Sequence, residues 1–150
     1  MMERIICLFM GYLLGMFQTA YIYGRAHGID IRKMGSGNAG TTNTLRVFGT
    51  KAGLIVFVGD VIKCALAVVL ARIIFGGSRP DIKYLLMLYG AAGAILGHNF
   101  PFYMGFRGGK GIAATAGLIA AFHPAFIPVG LILFFVTFFT THYVSLGSLL

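Results

Sequence analysis

The chain has 150 residues, of which 58% are hydrophobic and only 11% charged, against roughly 45–50% and 25% in soluble domains. That balance excludes an ordinary soluble enzyme and points to a membrane protein of a length suited to one helical domain. Twelve Lys and Arg against four Asp and Glu give a formal charge of +8; once the usual cytoplasmic excess of basic residues is subtracted, the remainder favours anionic ligands.

The apolar run from Ile5 to about Tyr23 predicts a first membrane helix over residues 5–24. It is long for a signal-peptide core and lacks a small-x-small cleavage site, so it reads as an anchor. Gly11 and Gly15 form a G-x-x-x-G pair suited to close helix approach. Residues 25–51 then turn polar, with five Lys or Arg against Asp30.

A second helix is expected over 52–75, apolar except for Asp60 and Lys63. Their i, i+3 spacing puts both on one face, and a charge facing lipid costs roughly 2.5–3.5 kcal/mol on insertion scales, so the two should pair and face the bundle. After a short connection over 76–83 containing Pro80, a third helix over 84–96 repeats the small-residue spacing at Gly93 and Gly97. It should end near Phe100-Pro101, because the residue before proline avoids the α region. Residues 112–122 are apolar but too short to span, and Pro124 and Pro128 punctuate the run to Thr141. A short fourth helix with a full fifth is favoured over one broken hairpin. A polar-then-apolar pattern begins again at His142. Cys7 and Cys64 lie within apolar runs, lack ligand spacing and read as packing residues. The expected fold is all-α, a polytopic transmembrane bundle of about five helices forming a single domain over 1–150.

The loops at 25–51 and 105–111 hold seven Lys or Arg, against four at the N-terminus and residues 72–83. The positive-inside rule therefore places the N-terminus outside and both loops in the cytoplasm, converging on one membrane face. These loops carry the chain's two polar islands, GSGNAGTTNTLR (35–46) and GHNFPFYMGFRGGKG (97–111).

The first island satisfies G-x-G-x-x-G, and Asp60 follows at about the dinucleotide-binding distance. The context refutes that reading, since a membrane helix and not a strand precedes it and the acid sits mid-membrane. In the second island the Walker pattern fails at Met104 and at Gly111. Its chemistry survives, because consecutive glycines should expose backbone N–H groups, a helix starting near Ile112 adds its dipole, and Arg107 and Lys110 add charge. Ser36, Asn38, Thr41, Thr42, Asn43 and Arg46 supply donors for hydroxyls and phosphate oxygens, Arg46 by a two-pronged contact. The same residues also suit a cluster of turns and caps. His98 can be a general base, a donor to phosphate or a structural histidine. The other histidines show no metal spacing, no serine-hydrolase elbow is present, and neither metal, cofactor nor nucleic acid is expected.

GSGNAGTTNTLR, the mid-helix GDVIK (59–63), GHNFPFYMGFRGGKG and HYVSLGS (142–148) resemble, in order and spacing, the bacterial acyl-phosphate glycerol-3-phosphate acyltransferase family. The resemblance implies a multi-pass enzyme of the inner membrane that moves a fatty acyl group from long-chain acyl phosphate to the sn-1 hydroxyl of glycerol 3-phosphate, giving lysophosphatidic acid, with membrane lipids around it. It further implies catalytic roles for Ser36, Asn38, His98 and Lys110, and substrate contacts from Gly37, Thr42, Asn43, Arg46, Arg107, Gly108, Gly109, Ser145 and Ser148. Family members resemble seven-helix bundles, so the resemblance implies that the C-terminal helices are missing from this chain. The rival reading is a non-enzymatic membrane protein that binds or carries phosphate or organophosphate on the same cationic loops.

Overall fold

The computed structural model describes residues 1–142. Every regular element among them is helical: α1 (Met2–Gly15), α2 (Thr19–Ala26), α3 (Thr41–Phe48), α4 (Thr50–Phe75), α5 (Lys83–Asn99), α6 (Ile112–Phe122) and α7 (Phe126–Thr141). Three stretches are long and apolar enough to cross a bilayer, Met2–Ala26, Thr50–Phe75 and Pro80–Met104. The 16 residues of α7 rise only about 24 Å at about 1.5 Å per residue, so the full fifth helix expected from the sequence is not reached within the described residues.

α4 is the hub, with α1, α2, α3, α5 and α6 all packed on it. Its buried stripe, Ala52, Gly53, Val56, Asp60, Lys63, Cys64, Ala67, Val68 and Ala71, is mostly small, while Leu54, Phe57, Ile62, Leu66 and Ile73 point outward. Lipid is as apolar as leucine, so what drives helices together in a bilayer is close backbone approach, and small residues permit it.

The same device joins α1 to α5. A methyl group added at Gly11 or Gly15 would meet the carbonyl of Gly90 or Ala94, and one at Gly93 or Gly97 would meet that of Leu8 or Tyr12. The two small-residue pairs noted in the sequence thus face each other and interlock. At the far end, Arg79 pairs with both Glu3 and Asp81, tying the α4–α5 connection to the N-terminus.

The first span is not the continuous helix over 5–24 that the sequence predicts. The helix stops at Gly15 and restarts at Thr19. The break is held from three sides. The fully buried Gln18 donates from Nε2 to the His98 carbonyl at 2.8 Å and, more weakly, to that of Gly97 at 3.4 Å. The Tyr103 hydroxyl donates to the Met16 carbonyl at 2.7 Å, and Lys63 Nζ to the Phe17 carbonyl at 2.7 Å. Backbone groups freed at membrane depth must find protein partners, and the carbonyls of Met16 and Phe17 do so.

The polar stretch 25–51 also contains more order than expected, with a 3₁₀ turn at Ile31–Lys33 followed by α3. Asp30 caps that turn, accepting from the Arg32 amide at 3.1 Å, and grips the Arg32 guanidinium at 3.0 and 2.8 Å. That guanidinium holds the Asp30 carboxyl down to about 2 and lies 5.0 Å over the Tyr21 ring.

Candidate functional site

The first island is shaped by Asn43, which is buried on the inner face of α3 beside Thr44. Its Oδ1 accepts from the Ser36 amide at 2.8 Å. Its Nδ2 donates toward the carbonyls of Met34 and Asn38 at 3.0 Å each and Ile31 at 3.3 Å. An amide with two N–H donors cannot serve three carbonyls fully, so one hydrogen is shared. All the polar capacity of Asn43 goes into loop shape. Gly35 and Gly37 turn the chain at φ +56° and +73°, a region costly for side chains with a Cβ. Ser36 is exposed, Gly37 and Asn38 are half-buried, and Thr42 and Arg46, four residues apart, share the exposed side of α3.

The second island folds back on the end of α5. The N–H of Gly108 donates to the Asn99 carbonyl at 3.0 Å and that of Gly109 to the His98 carbonyl at 3.1 Å. The expected pair of exposed glycine donors is therefore absent; both amides close the turn. The glycines are needed for a different reason, because a Cβ on Gly108 would strike the His98 carbonyl and one on Gly109 would strike the tip of the His98 ring. The amides of Arg107, Lys110 and Gly111 and those of the first turn of α6 have no acceptor among the described residues. Arg107 and Lys110 are exposed.

The islands meet. Asn38 Nδ2 approaches the Gly108 carbonyl at 3.4 Å, and the open side of Gly40 faces the Gly109 Cα. Beneath the junction lies a buried polar cluster. Lys63 Nζ reaches Asp60 Oδ1 at 2.8 Å and His98 Nδ1 at 2.7 Å, in addition to the Phe17 carbonyl. Thr19 donates to Asp60 Oδ1 at 3.3 Å. The pairing expected of Asp60 and Lys63 is present, and it is extended to His98.

All four carboxylates, Glu3, Asp30, Asp60 and Asp81, are occupied by Arg32, Lys63, Arg79 or the terminal ammonium. Arg46, Arg107 and Lys110 therefore have no carboxylate partner among the described residues. Cations without internal counter-ions, beside free amides and a helix N-terminus, suit an anion.

Of the residues singled out in the sequence, Asn38, Gly108, Gly109 and His98 come together directly, Ser36 and Gly37 belong to the Asn38 loop, and Asn43 holds that loop from α3. Ser145 and Ser148 lie outside the described residues. Sequence reasoning missed Gln18, Thr19 and the reach of Lys63 to His98. The available signal was Gln18-Thr19 itself, a polar pair inside a membrane run, where a polar side chain is costly unless it serves a purpose.

Comparison with known proteins gives a consistent picture. A family model described as glycerol-3-phosphate acyltransferase matches residues 5–150. A glycerol-3-phosphate acyltransferase of Clostridioides difficile (strain 630) is 44% identical over 146 residues, covering 96% of this chain and 71% of the relative. Another from Bacillus cytotoxicus is 42% identical over 145 residues, covering 96% and 70%. Among solved structures, PlsY (YgiH), an integral membrane glycerol 3-phosphate acyltransferase, superposes in its glycerol 3-phosphate form with a TM-score of 0.85 at 32% identity, over 97% of this chain and 70% of that one. Its lysophosphatidic acid form gives 0.84 at 31%, over 97% and 69%.

Proposed function

The chain belongs to the glycerol-3-phosphate acyltransferase family and is an integral membrane acyltransferase for glycerol 3-phosphate; we propose that its donor is a long-chain acyl phosphate and that the two joined polar islands are its active site. The observation that carries the site is the contact of Asn38 with Gly108, which joins the two distant segments that carry Arg46, Arg107 and Lys110. Both substrates are phosphorylated, so such a junction has two anions to hold, and the acyl chain explains its place at the end of membrane helices. The solved relative in glycerol 3-phosphate and lysophosphatidic acid forms supports acceptor and product. A phosphate carrier is not favoured, because the relatives are named acyltransferases.

The chemistry asks little covalent help. The sn-1 hydroxyl oxygen attacks the acyl carbonyl carbon, the carbon–oxygen bond to phosphate breaks, and the hydroxyl proton passes to the departing phosphate. The protein holds the two substrates against their mutual repulsion. Positioning of this kind contributes about 7–11 kcal/mol. Arg46 and Lys110 neutralise the phosphoryl oxygens, assisted by Arg107 and Thr42, while the Lys110 and Gly111 amides offer donors to the oxyanion. Ser36 and Asn38 line the acceptor side, and Gly37, Asn43, Gly108 and Gly109 keep the loops in shape. The basic balance of the loops supports a cytoplasmic site in the bacterial inner membrane with the N-terminus outside.

The test is release of phosphate from palmitoyl phosphate by purified protein, with and without glycerol 3-phosphate. Release should require the acceptor and should fall at least about tenfold in Lys110→Ala and in Arg46→Ala, the loss of one charged hydrogen bond. Unchanged rates in both variants would show the site to be elsewhere.

A further inference from the structure

His98 is only 2% exposed, yet it sits where the two islands join, and its two ring nitrogens have different surroundings. Nδ1 faces Lys63 Nζ at 2.7 Å. Nε2 faces Gly109, where a Cβ would collide with it, and among the described residues the ring's one side-chain hydrogen bond is at Nδ1, not at Nε2. Lys63 in turn has three acceptors around its ammonium: the Phe17 carbonyl at 2.7 Å, Asp60 Oδ1 at 2.8 Å and His98 Nδ1. An ammonium carries three N–H donors and no acceptor. The match of three donors to three acceptors leaves Nδ1 no role but that of acceptor, and the proton of the neutral ring must then lie on Nε2. The nearby Asp60 oxygen does not compete, since it is 3.6 Å from Nδ1 and is already taken by Lys63 and Thr19.

We propose that Lys63, held by Asp60, is a positioning residue that fixes His98 in its Nε2–H tautomer, so that His98 serves the reaction as a hydrogen-bond donor to a phosphoryl oxygen and not as a general base. The identity of that oxygen rests on the acyl-phosphate reading; the tautomer does not. The lone pair a base would need is already engaged by the lysine, and the nitrogen left free carries a proton to give. Gly109 completes the device, because any side chain there would displace the ring tip. Removal of the attacking hydroxyl's proton accordingly falls to the departing phosphate.

The tautomer is read directly by nitrogen NMR of protein labelled with 15N-histidine, in lipid nanodiscs at pH 7 without substrate, with His98 assigned from its absence in H98Q. The expected spectrum shows the bonded proton on Nε2 and an unprotonated Nδ1, and in K63M the Nδ1 resonance moves. A proton on Nδ1, or on both nitrogens, overturns the proposal whatever the activity. A second arm needs no lysine variant. Glutamine places an N–H near the former Nε2 and asparagine one near Nδ1, so kcat/KM with palmitoyl phosphate and glycerol 3-phosphate should fall about tenfold to a hundredfold further in H98N than in H98Q, the range for one hydrogen bond to a charged group. If H98N is as active as H98Q or more so, donation from Nε2 is refuted. Absence of acceptor-dependent phosphate release in the unsubstituted protein would instead count against the function and leave the tautomer measurement standing.

Discussion

Asn43→Ala separates a residue that shapes the first polar island from one that touches substrate. The side chain supplies two N–H donors and one accepting oxygen to the backbone of residues 31–38, so truncation removes three hydrogen bonds' worth of capacity although four contacts are present. At about 1 kcal/mol net apiece the loop loses about 3 kcal/mol. Water can re-solvate the exposed Met34 and Ser36, which brings the loss nearer 2 kcal/mol. Because about 1.4 kcal/mol is tenfold in an equilibrium, a loss near 2 kcal/mol should make local opening about 30-fold more frequent. Hydrogen exchange by mass spectrometry on the substrate-free protein, over peptides covering 31–44, should show that acceleration, while peptides from α4 and α5 stay protected. Turnover should fall with it. If exchange across 31–44 is unchanged in Asn43→Ala while activity is lost, Asn43 acts on substrate and the shaping role is wrong.

Asp60→Asn should destabilise by about 3–5 kcal/mol, because it strands the buried Lys63 charge, whereas Asp60→Leu combined with Lys63→Met should recover much of that stability without activity; thermal unfolding of detergent-solubilised protein, paired with the phosphate assay, reads both. Gly93→Ala should lower the melting temperature sharply, since its methyl lands on the Leu8 carbonyl across the α1–α5 contact, and Gly77→Ala, which meets no neighbour within 4 Å, should leave it unchanged. The Arg32 contact lowers Asp30 from 3.8 to about 2, so the loop stability it supplies is complete above about pH 4 and is lost as pH falls through about 2. Protection of the 29–34 amides, referred to their intrinsic exchange rates at each pH, should therefore fall on acidification in the unsubstituted protein and stay nearly flat in Asp30→Asn.

Much of this was legible in residue order. The long apolar runs mark α4 and α5 because only an internally bonded helix can carry that much apolar surface through lipid. The meeting of the islands follows from parity, since α4 crosses one way and α5 returns. The Asp60–Lys63 pair follows from spacing and desolvation together. What stayed hidden has local causes. Met16-Phe17-Gln18 contains no proline or glycine to announce a break, and its cause lies in residues far along the chain, Lys63, His98 and Tyr103. The glycines at 108 and 109 suggested free amides, yet a sequence cannot show that the carbonyls of His98 and Asn99 curl back to claim them. Asn43 looked like a ligand because amides serve substrates and turns alike; only its burial at 2% and its four backbone contacts reveal the second use.

The i, i+3 placement of Asp60 and Lys63 bears on biogenesis. Each charge alone would burden membrane entry by about 2.5–3.5 kcal/mol, and His98 is made only 35 residues after Lys63. A carboxylate one turn away on the same helix lets this segment leave the translocon already neutralised, with no need to wait for a later helix. The ammonium then collects its remaining acceptors as neighbouring spans arrive, so a charge that enters the bilayer under local escort ends by orienting the imidazole of a segment not yet synthesised when it went in.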